Sequence, residues 1–154
     1  MVFSAGLKPG EILEVQKWLS TAESEVYFTQ PSYDQRHGLE SAGYVVGLRP
    51  MRRDLIRAAL LHDLGKRRAG LGFIRRSLAS AYVKLGGVPR GKWRLYLEHG
   101  PSAATELTTL GAEPIVVDFA RYHHGQRPES ISPEDWKLLQ EADGSRRKPK
   151  PGGR

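Results

Sequence analysis

Apolar residues in this chain recur at spacings of three and four, and the strict alternation of a half-buried strand is nearly absent. That period restricts the fold to helices packed on helices. The most demanding stretch is Arg52 to Asp63, where Leu55, Ile56, Ala58, Ala59, Leu60 and Leu61 spread apolar surface over too wide an arc for one interface. Such a helix has to lie in the middle of its bundle. Its last residues are nevertheless polar: the run reads ALLHDLGK, with His62 beside Asp63 and Lys66 three residues further on.

The same reading predicts about six or seven helices. Pro9 suits the first position of a helix carrying Ile12, Leu13, Trp18, Leu19 and Val26, which stops before Gln30-Pro31 because a residue preceding proline is pushed out of the helical region. A second helix is predicted from Ser32 as N-cap toward Leu48, and carries His37. Gly65 and Gly70 mark a loop after the central helix, with Gly65 expected to free Lys66 to turn back. A basic amphipathic helix is predicted over Leu71 to Leu85, closed by Gly86-Gly87. Further helices are predicted over Pro101 to Leu110, over Ile115 to His124 behind Pro114, and from the start signal Ser132-Pro133-Glu134-Asp135 through Asp143. Residues 1 to 143 then form one domain, and 144 to 154 a basic, disordered tail.

With 154 residues the chain can bury a core without metal or disulfide, and having no cysteine it excludes thiolate ligands and a cysteine nucleophile. No apolar run reaches signal-peptide or bilayer length, so a cytoplasmic protein without membrane contact is expected. The net charge of +7 is unevenly spread. Five Lys/Arg lie in residues 144 to 154 with no acid, and 13 lie in residues 49 to 94 against only Asp54 and Asp63. Arg67, Arg68, Arg75, Arg76, Arg90 and Arg94 all follow the His-Asp pair. That concentration suits steering of an anionic substrate, and with the tail it is also the footprint of a nucleic-acid contact.

Five histidines, His37, His62, His99, His123 and His124, fall at helix ends or on faces able to point inward, and Asp63 and Asp143 accompany them. One buried histidine is more often a hydrogen-bonded core residue than a ligand, and a lone loop lysine is usually solvated. Adjacent imidazoles such as His123 and His124 point about 100° apart on a helix and reach one site only near its end. Imidazole and carboxylate together suit Mn, Fe, Co, Ni or Zn, and seven such groups exceed the needs of one ion.

The ordered series His37, His62-Asp63, His99, His123-His124, Asp143 resembles the HD-domain superfamily of metal-dependent phosphohydrolases, over residues 32 to 143. Its style, with DQRHGLESA and EHGPSAATEL flanking LLHDLGK, is similar to small stand-alone bacterial HD proteins. The resemblance implies an all-helical HD bundle in which His37, His62, Asp63 and Asp143 hold one metal and His99, His123 and His124 a second, with Asp63 bridging. Such dinuclear sites occur in the HD-GYP branch, but HHGQRPESIS stands here where Gly-Tyr-Pro is expected, which speaks against a cyclic dinucleotide substrate. Tyr33, four residues before His37, stands where trinuclear members have a glutamate.

At such a centre Asp63 is expected to orient the attacking water, and Lys66, three residues past Asp63, to reach a phosphate oxygen, while Arg67, Arg36 and Arg127 are by their placement beside the motifs weaker candidates for substrate contact. The implied activity is phosphomonoester or phosphodiester hydrolysis of a nucleotide or other small phosphorylated metabolite. Two further readings use the same residues differently: a mixed-valence di-iron oxygenase on the same ligands, and a nucleic-acid or partner-binding module built on the basic segment.

Overall fold

The computed structural model describes residues 6–69, 85–88, 91 and 99–144. Among these residues the secondary structure is entirely helical. Seven α-helices run in the order α1 (Pro9–Trp18), α2 (Thr21–Phe28), α3 (Ser32–Leu48), α4 (Arg53–Leu61), α5 (His99–Thr109), α6 (Pro114–Tyr122) and α7 (Pro133–Gly144). A 3-10 turn over Leu64–Ala69 follows α4. The predicted helix over Leu71 to Leu85, and the tail beyond Gly144, lie outside the described residues.

The N-terminal segment departs from its prediction. Instead of one helix there are two, because Ser20 opens a new one. Its hydroxyl accepts from the Glu23 amide at 3.2 Å, and the Glu23 carboxylate accepts from the Ser20 amide at 2.9 Å. This capping box satisfies two amides that a helix start would leave without partners. Other boundaries follow their sequence signals: Pro9 and Pro114 occupy first turns, the Ser132 hydroxyl accepts from the Asp135 amide at 3.1 Å, and Gly111 adopts φ 70° after α5.

The central placement of α4 holds. Leu55, Ile56, Ala58, Ala59, Leu60 and Leu61 are all buried, with α1, α3, α6 and α7 packed around them. Each large aliphatic side chain so buried contributes on the order of 2 kcal/mol. The helix ends at Leu61 rather than Asp63; His62 is its C-cap, still helical in backbone, with its amide bonded to the Ala58 carbonyl.

Three glycines let neighbouring segments approach more closely than any side chain would allow. A Cβ on Gly38 would stand 2.8 Å from the Leu60 carbonyl oxygen, one on Gly100 2.8 Å from that of Arg121, and one on Gly65 2.1 Å from that of His99. Gly65 therefore serves close packing of the 3-10 turn on α5, not the loop freedom expected from sequence. Gly65→Ala has no flexible neighbour to displace and should cost about 3 kcal/mol, roughly 10 °C in thermal midpoint, measured by calorimetry.

Charged groups brace the bundle. Arg57, on α4, donates to Glu23 at 2.6 Å and to Glu113, the N-cap of α6, at 2.7 Å, so one guanidinium ties three elements together. Glu23 is 1% exposed. Burial alone would raise its pKa, but the Arg57 and Ser20 hydrogen bonds outweigh it and hold the pKa below the ordinary 4.5. A depressed folded-state pKa contributes stability above the unfolded value, and that contribution disappears as pH falls through the folded value. Glu23→Gln should therefore destabilise the fold by about 2 to 3 kcal/mol at pH 7 in urea titrations. The gap from the wild type should narrow steadily below pH 4.5.

A candidate metal centre of five histidines and two aspartates

All seven side chains singled out as ligands converge. His37 comes from the middle of α3, His62 and Asp63 from the end of α4, and His99 from the first turn of α5. His123 is the C-cap of α6 and His124 follows it, while Asp143 lies in the last turn of α7. They fall into three overlapping groups: Asp63, His99, His123 and His124; His37, His62 and Asp63; and His62, His123 and Asp143. Within each group one ligand atom per residue lies within 4.8 Å of the others.

Asp63 sits at the junction, 3% exposed. Its two oxygens face different sets of partners. Oδ1 is 3.2 Å from His99 Nε2 and 3.4 Å from His123 Nε2, and those two nitrogens are 3.2 Å apart. Oδ2 is 3.5 Å from His62 Nε2 and 3.7 Å from His37 Nε2. Asp143 Oδ1 completes the second set, 3.0 Å from His37 Nε2 and 3.1 Å from His62 Nε2.

The ring tautomers give this crowd its meaning. His62 Nδ1 is 2.9 Å from the Ala59 carbonyl oxygen, and His123 Nδ1 is 2.9 Å from that of Ala120. A carbonyl only accepts, so each Nδ1 carries a proton and donates it, and in the neutral ring Nε2 presents a lone pair. Those lone pairs point at carboxylate oxygens, which are acceptors too. Two acceptors in contact repel unless a cation stands between them. Asp63 Oδ1, buried and without a hydrogen bond of proper geometry, is in the same position. Ligands bonded to one ion at about 2.1 Å stand about 3.0 to 3.6 Å apart, close to the 3.0 to 3.7 Å found in the two sets. Nδ1–H donation to a backbone carbonyl is also the usual way in which a metal-binding imidazole is oriented. The residues present therefore fit divalent cations.

The electrostatics agree. Burial penalises the charge on Asp63, yet His62, His123, His99 and Lys66 hold its pKa well below the ordinary carboxylate value. Asp143 is likewise lowered, its burial outweighed by contacts with His37 and His62. Burial would lower the His62 pKa, but the charges of Asp63 and Asp143 and the Asp143 hydrogen bond overcome it and raise the value. Burial, helped by the neighbouring His123, His99 and Lys66, pushes His124 down to about 4, which keeps that ring neutral.

Lys66 is no solvated loop residue. Its side chain is 15% exposed and Nζ donates to Asp63 Oδ2 at 2.5 Å. The weaker substrate contacts expected from sequence find other partners. Arg36 forks onto Glu11 and reaches the Gly6 carbonyl, which fastens the start of α1 to α3. Arg67 bonds the Leu64 carbonyl and Glu106, joining the 3-10 turn to α5, and Arg127 bonds the Pro128 and Ile131 carbonyls. All three hold backbone or acids in place. Arg75, Arg76, Arg90 and Arg94 lie outside the described residues, as does the side chain of Arg68.

Two residues that drew no notice in the sequence touch the cluster. The Phe119 ring lies 5.8 Å from the rings of both His62 and His123 and forms an apolar floor beneath them. Gln140, three residues before Asp143 and so on the same face of α7, donates from Nε2 to the His123 carbonyl at 2.6 Å. That spacing was the available signal.

No curated protein and no solved structure matches the chain. A family model described as HD domain matches residues 35–148, more than half of the sequence and the whole span from His37 to Asp143. With the ordered His and Asp series gathered into one largely buried cluster, of which only His124 is exposed, inside a helical bundle, that match places the chain in the HD-domain family.

Proposed function

We propose that this protein is a metal-dependent phosphohydrolase that cleaves a phosphate ester of a nucleotide or small phosphorylated metabolite at a dinuclear centre. HD domains are generally metal-dependent phosphohydrolases, which supplies the reaction class. The observation that carries the dinuclear reading is the division of Asp63, with Oδ1 turned to His99 and His123 and Oδ2 to His37 and His62. A carboxylate placed in this way would be available to two neighbouring cations.

On this reading His37, His62, Asp63 and Asp143 would hold one ion, and Asp63, His99, His123 and His124 the other. Divalent transition ions bound there supply positive charge that acidifies a water and neutralises phosphoryl oxygens. The protein's own groups do the positioning. Asp63 accepts a hydrogen bond from the attacking water and fixes its direction. Lys66, already beside Asp63 and partly exposed, turns its compact charge to an equatorial phosphoryl oxygen as negative charge grows there. His124, neutral at physiological pH, keeps its lone pair available.

Purified protein loaded with Mn(II) should hydrolyse at least one member of a panel of nucleotides, cyclic nucleotides, dinucleotides and sugar phosphates. Asp63→Ala should lose both that activity and bound metal. Unchanged turnover in this variant would remove the proposed site, and two irons with oxygen-dependent turnover would sink the hydrolase reading altogether. Lys66→Met should retain its metal while kcat falls about 100-fold, the usual cost of removing one transition-state donor. A change confined to KM would make Lys66 a binding group only.

A further inference from the structure

His123 and His124 are sequence neighbours that approach one cluster, and a helix would point them apart. The chain resolves this at the end of α6, where His123 is the C-cap and the Gly125 amide turns back onto the Tyr122 carbonyl at 2.6 Å. The peptide plane between the two histidines then decides where the second ring points. Its oxygen is the His123 carbonyl, one of those that a helix end leaves without an internal partner.

The other imidazoles are aimed by contacts of their own. His62 and His123 donate from Nδ1 to carbonyls within their own helices, and His37 Nε2 contacts Asp143. The ring of His124 meets those of His99 and His123, with centroids 5.0 and 4.0 Å away, but no hydrogen bond to a described residue orients it. Its position depends on the backbone. That backbone is held by Gln140, whose amide donates to the His123 carbonyl at 2.6 Å.

We infer that Gln140 is a positioning residue for the second metal site: by fixing the His123–His124 peptide plane it aims His124 at the ion shared with His99, His123 and Asp63. Because Gln140 lies one turn before Asp143 on α7, the same helix supplies a ligand to one site and orients a ligand of the other. The inference rests on the dinuclear reading above, so its test separates the two.

Metal-free wild type, Gln140→Met and Gln140→Glu would be titrated with Mn(II) by calorimetry, with His124→Ala alongside, and paramagnetic resonance spectra recorded at two equivalents. Methionine keeps the length of the side chain without the donor, and glutamate offers an acceptor in its place. The second equivalent should bind about tenfold more weakly in both variants, as is usual when the partner of a ligand is lost, while the first stays within twofold of wild type. The exchange-coupled spectrum of the Mn pair should fade as it does in His124→Ala. Wild-type binding of two ions with the second unmoved by either substitution overturns the inference alone. Equal weakening of both equivalents, or a fall in metal-free thermal midpoint that accounts for the loss, makes Gln140 merely structural and also overturns it. A wild type that takes up only one ion overturns the dinuclear reading and the inference with it.

Discussion

Everything near the centre of this molecule is arranged around one buried negative charge, the carboxylate of Asp63. Its burial would carry a large desolvation cost were it not surrounded by four imidazoles and an ammonium. Those partners come from α3, α4, α5, α6 and the turn after α4, so stabilising one carboxylate requires most of the bundle to be assembled. The apolar burial of α4 sets the position of Asp63, since Leu60 and Leu61 lock the last turn and leave His62 and Asp63 little freedom. Hydrophobic packing thus provides the rigidity, and the charge determines which other segments meet there.

The backbone approaches at Gly38, Gly65 and Gly100 belong to the same constraint. Each glycine stands within two residues of a ligand: Gly38 after His37, Gly65 after Asp63, Gly100 after His99. Imidazoles from separate helices can bring their Nε2 atoms within 3.2 to 3.7 Å of a common carboxylate only if their backbones are drawn close, and at these positions a methyl group would hold them apart. The glycines are part of the metal cluster's geometry although none carries a functional group.

What was legible in the sequence and what was not divides along the range of the interactions. The buried face of α4, the starts at Pro9 and Pro114 and the Ser132 cap depend on residues within one turn of each other, and they read directly. The ligand series was legible by its order and by the helix ends on which it falls. The break at Ser20 was equally local, since Ser20 and Glu23 have capping-box spacing, but the apolar period ran across it and concealed it. Gly65 looked like a hinge because the carbonyl it must clear belongs to His99, 34 positions away. Arg36, Arg67 and Arg127 lie beside the motifs, which in sequence suggests substrate contact. Their carboxylate and carbonyl partners could be identified only in three dimensions.

The distribution of exposure adds a direction to the cluster. The side chains of His62 and His123, over the Phe119 ring, are 0% and 1% exposed and that of His99 3%, whereas those of His37, Asp143 and Lys66 keep 18%, 21% and 15%. His99 and His123, which face Asp63 Oδ1, are therefore closed in, while the surface of the cluster is shared by His124 at the end of α6 and by His37, Asp143 and Lys66 on α3, α7 and the turn after α4. On the proposed reading Lys66, partly exposed at this rim, is available to an arriving phosphate ester. A charge at the rim that is itself tied to Asp63 suits this role: an arriving phosphoryl oxygen competes for the ammonium, and its transfer from carboxylate to substrate frees Asp63 Oδ2 to orient the attacking water.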